Sequence, residues 1–124
     1  MSRAAFSAKV FAGYLFLLGP VLMVAPNTLL ALFHMATTSE VWIRVIGLLV
    51  VNIGVFLWVA ARHEYTHFLV ASVYSRCVVF LALTAFALLG LASPMIALFG
   101  VLDLLGGIWT WRALKADTTR PAAR

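Results

Sequence analysis

Charge is scarce in this chain. Of its 124 residues only 10% are Asp, Glu, Lys or Arg, against about 25% in an ordinary water-soluble domain, so there is too little polar surface to cover a globule in water. Acids are scarcer still, four against nine Lys and Arg. Cysteine occurs once, as Cys77 inside an apolar run, which excludes an intrachain disulfide and a cysteine-based metal centre. A basic stripe is missing as well. The net charge of +5 does not describe a nucleic-acid surface, because the basic residues sit at the ends of apolar runs rather than along one polar face. No two histidines lie at matched depth inside the apolar runs, which argues against a bis-histidine haem, and no cofactor is expected.

What remains is apolar. Hydrophobic residues make up 65% of the chain and the mean hydropathy is +1.07. Four stretches approach the roughly 20 residues needed to cross a 30 Å hydrocarbon core. The expected fold is all-α, a single integral membrane domain built as an up-and-down four-helix bundle with a short interfacial helix after the first span. The predicted spans are about 7–25, 40–62, 67–91 and 94–114, followed by a short basic cytoplasmic tail, 115–124, expected to fray. Arg3 and Lys9 before the first run suggest a signal peptide, but Gly19-Pro20 and the lack of a small-x-small cleavage site argue that the segment stays as a helix, kinked near Pro20.

Local signals mark the other elements. Pro26-Asn27-Thr28 is a stop followed by a cap, and the apolar piece Leu29 to Met35 is too short to span, so it should lie along the interface or over the bundle mouth. Thr37 and Glu40 have capping-box spacing, with Ser39 as an alternative cap, at the start of the second span. On that span Arg44, Gly47, Val51, Val55, Trp58 and Arg62 share a stripe, Asn52 flanks it near mid-depth, and Glu40 stands one turn before Arg44, where the two can pair. On the third, Ser72, Arg76, Val79, Leu83 and Gly90 share a face. Ser93 caps the fourth, with Pro94 at its first position. There Gly100, Asp103, Gly106, Gly107 and Thr110 recur at spacings of three and four, a small and polar face suited to close helix approach in lipid.

Orientation follows from the basic residues. Arg3, Lys9, Arg62, Arg112, Lys115, Arg120 and Arg124 fall at the N-terminus, the second connection or the C-terminus, and the first and third connections have none. This implies a multi-pass protein of the cell (inner) membrane with both termini cytoplasmic. Trp42 near one boundary, and Trp58, Tyr65, Trp109 and Trp111 near the other, suit interfacial anchors.

The candidate chemistry is sparse. Asp103 sits about halfway along its run, where a charge costs about 2.5–3.5 kcal/mol on insertion scales and needs a partner. Arg76 lies at similar depth on the preceding run, so an Arg76–Asp103 pair is expected, with Asn52 as a third member of an interior polar cluster. Arg44 and Glu40 are a second candidate pair nearer the outer interface. His63-Glu64-Tyr65-Thr66-His67 matches H-E-x-x-H, which on one helical face would offer two zinc ligands and a general base. It falls at the reversal between two spans, however, and no third ligand is evident, so His63 and His67 are weak metal candidates.

Ala25-Pro26-Asn27-Thr28-Leu29-Leu30-Ala31-Leu32-Phe33, Glu40 with Arg44-Val45-Ile46-Gly47, Val59-Ala60-Ala61-Arg62 and Asp103 give most of the chain a layout that resembles the small four-helix DoxX-like and related bacterial membrane families. The resemblance implies the fold. Thiol or quinone redox activity, linked to some of those families, is not carried over, since paired cysteines are absent. The functional expectation is non-enzymatic: an accessory or lipophile-binding bundle whose partners are the bilayer, a lipophilic small molecule, and a homo-oligomer or larger membrane complex. Proton-coupled transport of a small molecule through Asp103 is the alternative, although the first run lacks the acid that small multidrug transporters carry there. A metal-dependent membrane hydrolase using His63, Glu64 and His67 is the third.

Overall fold

The structure is a computed structural model that describes residues 1–119; Arg120 and Arg124, two of the basic residues used above for orientation, lie outside the described residues. Among those described the chain is all-helical and without strands. Five helices follow one another: α1 (Arg3–Val24), α2 (Pro26–Leu32), α3 (Trp42–Arg62), α4 (Thr66–Leu88) and α5 (Ile96–Thr119). All but α2 are long and apolar enough to cross a membrane.

The helix ends carry most of the local chemistry. α1 begins four residues earlier than the apolar run suggests, because Ser2 is its cap: the Ser2 hydroxyl accepts the Ala5 amide at 3.0 Å. It then runs unbroken through Pro20 to Val24. Three ends share one device. After α2, α3 and α4, residues His34 (φ 55°), Glu64 (φ 56°) and Gly90 (φ 74°) turn left-handed. The amides of Met35, Tyr65 and Leu91 reach back to the carbonyls of Leu30, Ala60 and Phe86 at 2.8, 2.8 and 2.9 Å, the Schellman pattern that closes a helix C-terminus. Gly90 therefore ends α4 and does not belong to its packed face.

Other expected ends differ: α2 takes Pro26 as its first residue and ends at Leu32, where Leu29 to Met35 was expected, and α5 starts at Ile96 and not at Pro94. The Thr37–Glu40 capping box does not form: α3 starts at Trp42 behind Val41, with no side-chain cap. Asn27 Oδ1 instead accepts the Thr38 amide at 2.9 Å, and Thr38 Oγ1 accepts that of Glu40 at 3.1 Å, so this loop is tied back to α2. The C-terminal stretch is helical to Thr119 where fraying was expected. The hydroxyls of Thr118 and Thr119 donate to the Lys115 carbonyl at 2.8 and 3.2 Å, and Asp117 is held by the start of α1.

In space the helices run in the order α3, α1, α5, α4, with α1 packed along both α3 and α5, and α5 along α4. Close approach is possible because α1 offers Ala4, Ala5, Ala8 and Ala12, all 1% exposed or less, and small residues let helical backbones come close together. α3 and α4, although joined directly by His63–Tyr65, touch sparsely, and a gap opens between them. The outward faces are mostly apolar, with Leu17, Phe56, Leu81 and Leu88 each more than 60% exposed.

Candidate functional site

Arg76, on α4, is the most deeply buried charge in the described chain, at 4% exposure. Three neighbours fix its guanidinium. It lies 4.2 Å from the Phe11 ring centroid, a cation–π contact. Beside it is the notch left by Gly106, where a β-carbon would stand 3.3 Å from Nη1 and 2.8 Å from the Phe11 ring. Nη1 donates to Thr110 Oγ1 at 3.3 Å. Thr110 and Ser7, both buried, share a hydrogen bond of 2.8 Å, and Ser7 Oγ donates to the Ala4 carbonyl at 2.8 Å. Each hydroxyl has one proton, so the direction is forced: Arg76 donates to Thr110, Thr110 to Ser7, and Ser7 to the backbone of α1. Nη2 is buried and has no partner.

A cavity of about 650 Å³ opens beside this group, and Arg76 and Asp103 both line it. Its walls are otherwise mostly aliphatic and aromatic. Along α4 the lining runs from Phe68 to Leu83, roughly 22 Å at the helical rise, so the cavity is a slot and not a sphere. Leu29, Leu30 and Met35 line one end, where α2 lies across the mouth with the Phe33 ring 5.0 Å from that of Phe99 on α5. One long side is unsealed. Ile46, Ile53 and Phe56 of α3, and Phe68, Ala71 and Ser75 of α4, line the slot and are also exposed on the outer surface. They are the lips of the gap between those helices.

The expected polar cluster is thus partly assembled. Arg76, Ser72, Val79 and Leu83 face the slot from α4, and half-buried Asp103 faces it from α5. The direct Arg76–Asp103 hydrogen bond is not made, since Nη1 goes to Thr110 and Nη2 to nothing. Asn52 is elsewhere: it is exposed on the outside of α3, about 100° of helical turn from the slot-lining Ile53. Arg44 reaches back to cap α1 by donating to the Met23 and Val24 carbonyls, where a cation suits the helix C-terminus. Glu40 does not pair with it, because Glu40 precedes the helix and so is not one turn along the same face.

The histidine motif is broken by the fold. His63 follows the end of α3, Glu64 is left-handed, and His67 lies in the first turn of α4, so the two rings do not share a helical face. His63 Nδ1 is 3.0 Å from the Val59 carbonyl and its ring stacks on Tyr65. Glu64 is committed to α1: Ser2 donates its amide to Oε1 at 2.7 Å and its hydroxyl to Oε2 at 2.6 Å. The Ser2 hydroxyl hydrogen bond, reinforced by the Ser2 amide, holds the Glu64 carboxyl below the usual glutamate range. Among the described residues no group of three His, Cys, Asp or Glu side chains is placed to hold a metal ion.

Several of these contacts are faint in the sequence. Thr110 belongs to the small face of α5, and the Ala4, Ala8, Ala12 spacing marks the packed side of α1. Ser2, Glu64 and Asp117 give no such signal, because their partners are 62 to 114 residues away. No known family model matches the chain, and no curated protein or solved structure matches it either.

Proposed function

We propose that the four long helices cross a bilayer as an up-and-down bundle, with both termini on the cytoplasmic side, and that the protein is a receptor or carrier for a lipophilic molecule held in the slot. The observation that carries this reading is the pairing of a large apolar cavity with a buried guanidinium at its wall. Ligand sites are mostly apolar with a few placed polar groups, and a well-packed core leaves few voids larger than a water molecule. The apolar outer faces support insertion, since exposed patches of that extent aggregate in water.

The test is to purify the full chain in mild detergent and extract it with organic solvent. A lipophile recovered near one per chain, and depleted when Leu83→Trp fills the slot, is the expected result. Recovery of bulk membrane lipid only, equal in wild type and variant, removes the reading. Asp103 on the same wall favours a second reading, proton-coupled transport of a small molecule. Substrate-driven proton uptake abolished by Asp103→Asn in a folded protein would select it.

A further inference from the structure

We infer that the occupant of the slot is a single-chain lipophile ending in a carboxylic acid, which enters sideways from the hydrocarbon through the gap between α3 and α4; this rests on the receptor reading above.

The head group follows from what the wall leaves unsatisfied. Arg76 Nη2 is buried with a free donor, and such a donor in an apolar setting costs free energy until an acceptor arrives. The described residues supply none, because Phe11, Thr110 and the Gly106 notch hold the guanidinium from the other sides. Asp103, on the adjacent α5, lines the same slot. A protonated carboxylic acid offers both complements on one carbon: its carbonyl accepts from Nη2 once the guanidinium, whose Nη2 is sealed from the slot surface, turns toward it, and its O–H donates to Asp103. The positive and negative charges of the wall then stay balanced. An alkane meets neither group. An amine brings a second cation to Arg76, and a phosphate dianion brings two charges to Asp103.

The tail and the route follow from shape. On α4 the lining is largely aliphatic and aromatic for about 12 Å from Arg76 to Phe68 and about 10 Å from Arg76 to Leu83, so one chain headed at Arg76 fills the arm toward Phe68 and continues out through the open side. α2 covers one end of the slot, and α1 and α5 form its back. The open side lies between the exposed lips Ile53 and Phe56 on one helix and Phe68 and Ala71 on the other. In a bilayer that side faces acyl chains, so an amphiphile reaches Arg76 without crossing water.

Purified full-length protein in detergent micelles is incubated with hexadecanoic acid, its methyl ester, hexadecane, or a two-chain phosphatidic acid, and retention is read by native mass spectrometry, which also reports oligomeric state. The acid should be retained about tenfold or more better than the ester or the alkane, as expected for one hydrogen bond to a charged group, and better than the phosphatidic acid. Arg76→Gln and Asp103→Asn should each abolish that preference. Ala71→Trp, which narrows the gap without touching Arg76, should slow or abolish uptake of every probe, and it keeps the test decisive if Arg76→Gln does not fold. Equal retention of acid, ester and alkane overturns the head-group assignment while the receptor reading stands. Stronger retention of phosphatidic acid assigns the site to a phospholipid head and overturns the single-chain claim. Uptake unaffected by Ala71→Trp overturns the lateral route. Retention of none, with a dimer sealing the lips, removes both this inference and the reading it rests on.

Discussion

Gly47 faces Gly19 where α3 crosses α1, so closely that a β-carbon on Gly47 would lie 2.6 Å from the Gly19 carbonyl oxygen. No β-carbon fits at that distance from backbone, and the carbonyl of a helix cannot move aside as a side-chain tip can. Gly47→Ala should therefore push the helices apart and cost about 1–3 kcal/mol, the range for over-packed cores. Gly13→Ala is the control. A β-carbon there meets nothing within 4 Å, so the change should be neutral or stabilising by helix propensity. Thermal unfolding in detergent reads both, and equal melting of Gly47→Ala and wild type would remove the claim.

Acid should loosen the end of the molecule where Ser2 meets Glu64. The Glu64 carboxyl titrates below its ordinary value because it is hydrogen-bonded by Ser2. A group whose folded value is depressed contributes stability that is present above the unfolded value and is lost as pH falls through the folded one. The loss therefore falls below the ordinary glutamate range. Glu64→Gln should flatten that part of the stability-against-pH curve and lower the plateau at neutral pH slightly, since Glu64 is exposed and solvent screens it. An unchanged acid limb in the variant would show that the contact contributes nothing.

Thr110→Val should strand Arg76. It removes the acceptor of Nη1 and leaves the guanidinium without any hydrogen bond, at a cost of about 1–3 kcal/mol for an unsatisfied buried group. Combining it with Arg76→Leu replaces both partners by apolar groups, and the pair should be less destabilised than the sum of the single changes. Additive effects would mean that the Arg76–Thr110 contact carries no free energy. The carboxylate of Asp103 offers a parallel cycle, in which weaker coupling to Arg76 is expected because no direct hydrogen bond joins them.

Topology is read by labelling. With Cys77 replaced by Ala, a cysteine at Thr37 should react with an impermeant maleimide added outside cells and one at Thr118 should react only after the membrane is opened. The reverse pattern would invert the proposed orientation.

Sequence pattern revealed the four long helices, a short one between the first two, though three residues further along than α2, and the two charges that both line the slot, because each is announced by composition or by i, i+3 and i, i+4 spacing. It failed where spacing was ambiguous or partners were remote. Thr37 and Glu40 match a capping box, yet Asn27 competes for the same loop and wins. Asn52 and Ile53 differ by one position, and a period of 3.6 does not by itself say which side of α3 is inward. The Arg44–Glu40 pair lost to an α1 carbonyl that no local rule could place beside Arg44. The gap was hidden for a further reason: helices joined by a short link are expected to pack together, whereas α3 and α4 each pack chiefly on another helix.

That spatial order has a consequence for biogenesis. α1 is made before α3 and α5, yet it sits between them, and its first turn is capped by Glu64 and Asp117. Until α5 emerges, Ser7 has no Thr110 and Arg76 has no acceptor. The nascent chain therefore holds an unpaired cation and an unclosed helix until Thr110 and Asp117 are made, which makes α5 the element that completes both contacts. A chain truncated before Ile96 would leave that cation without its hydroxyl acceptor.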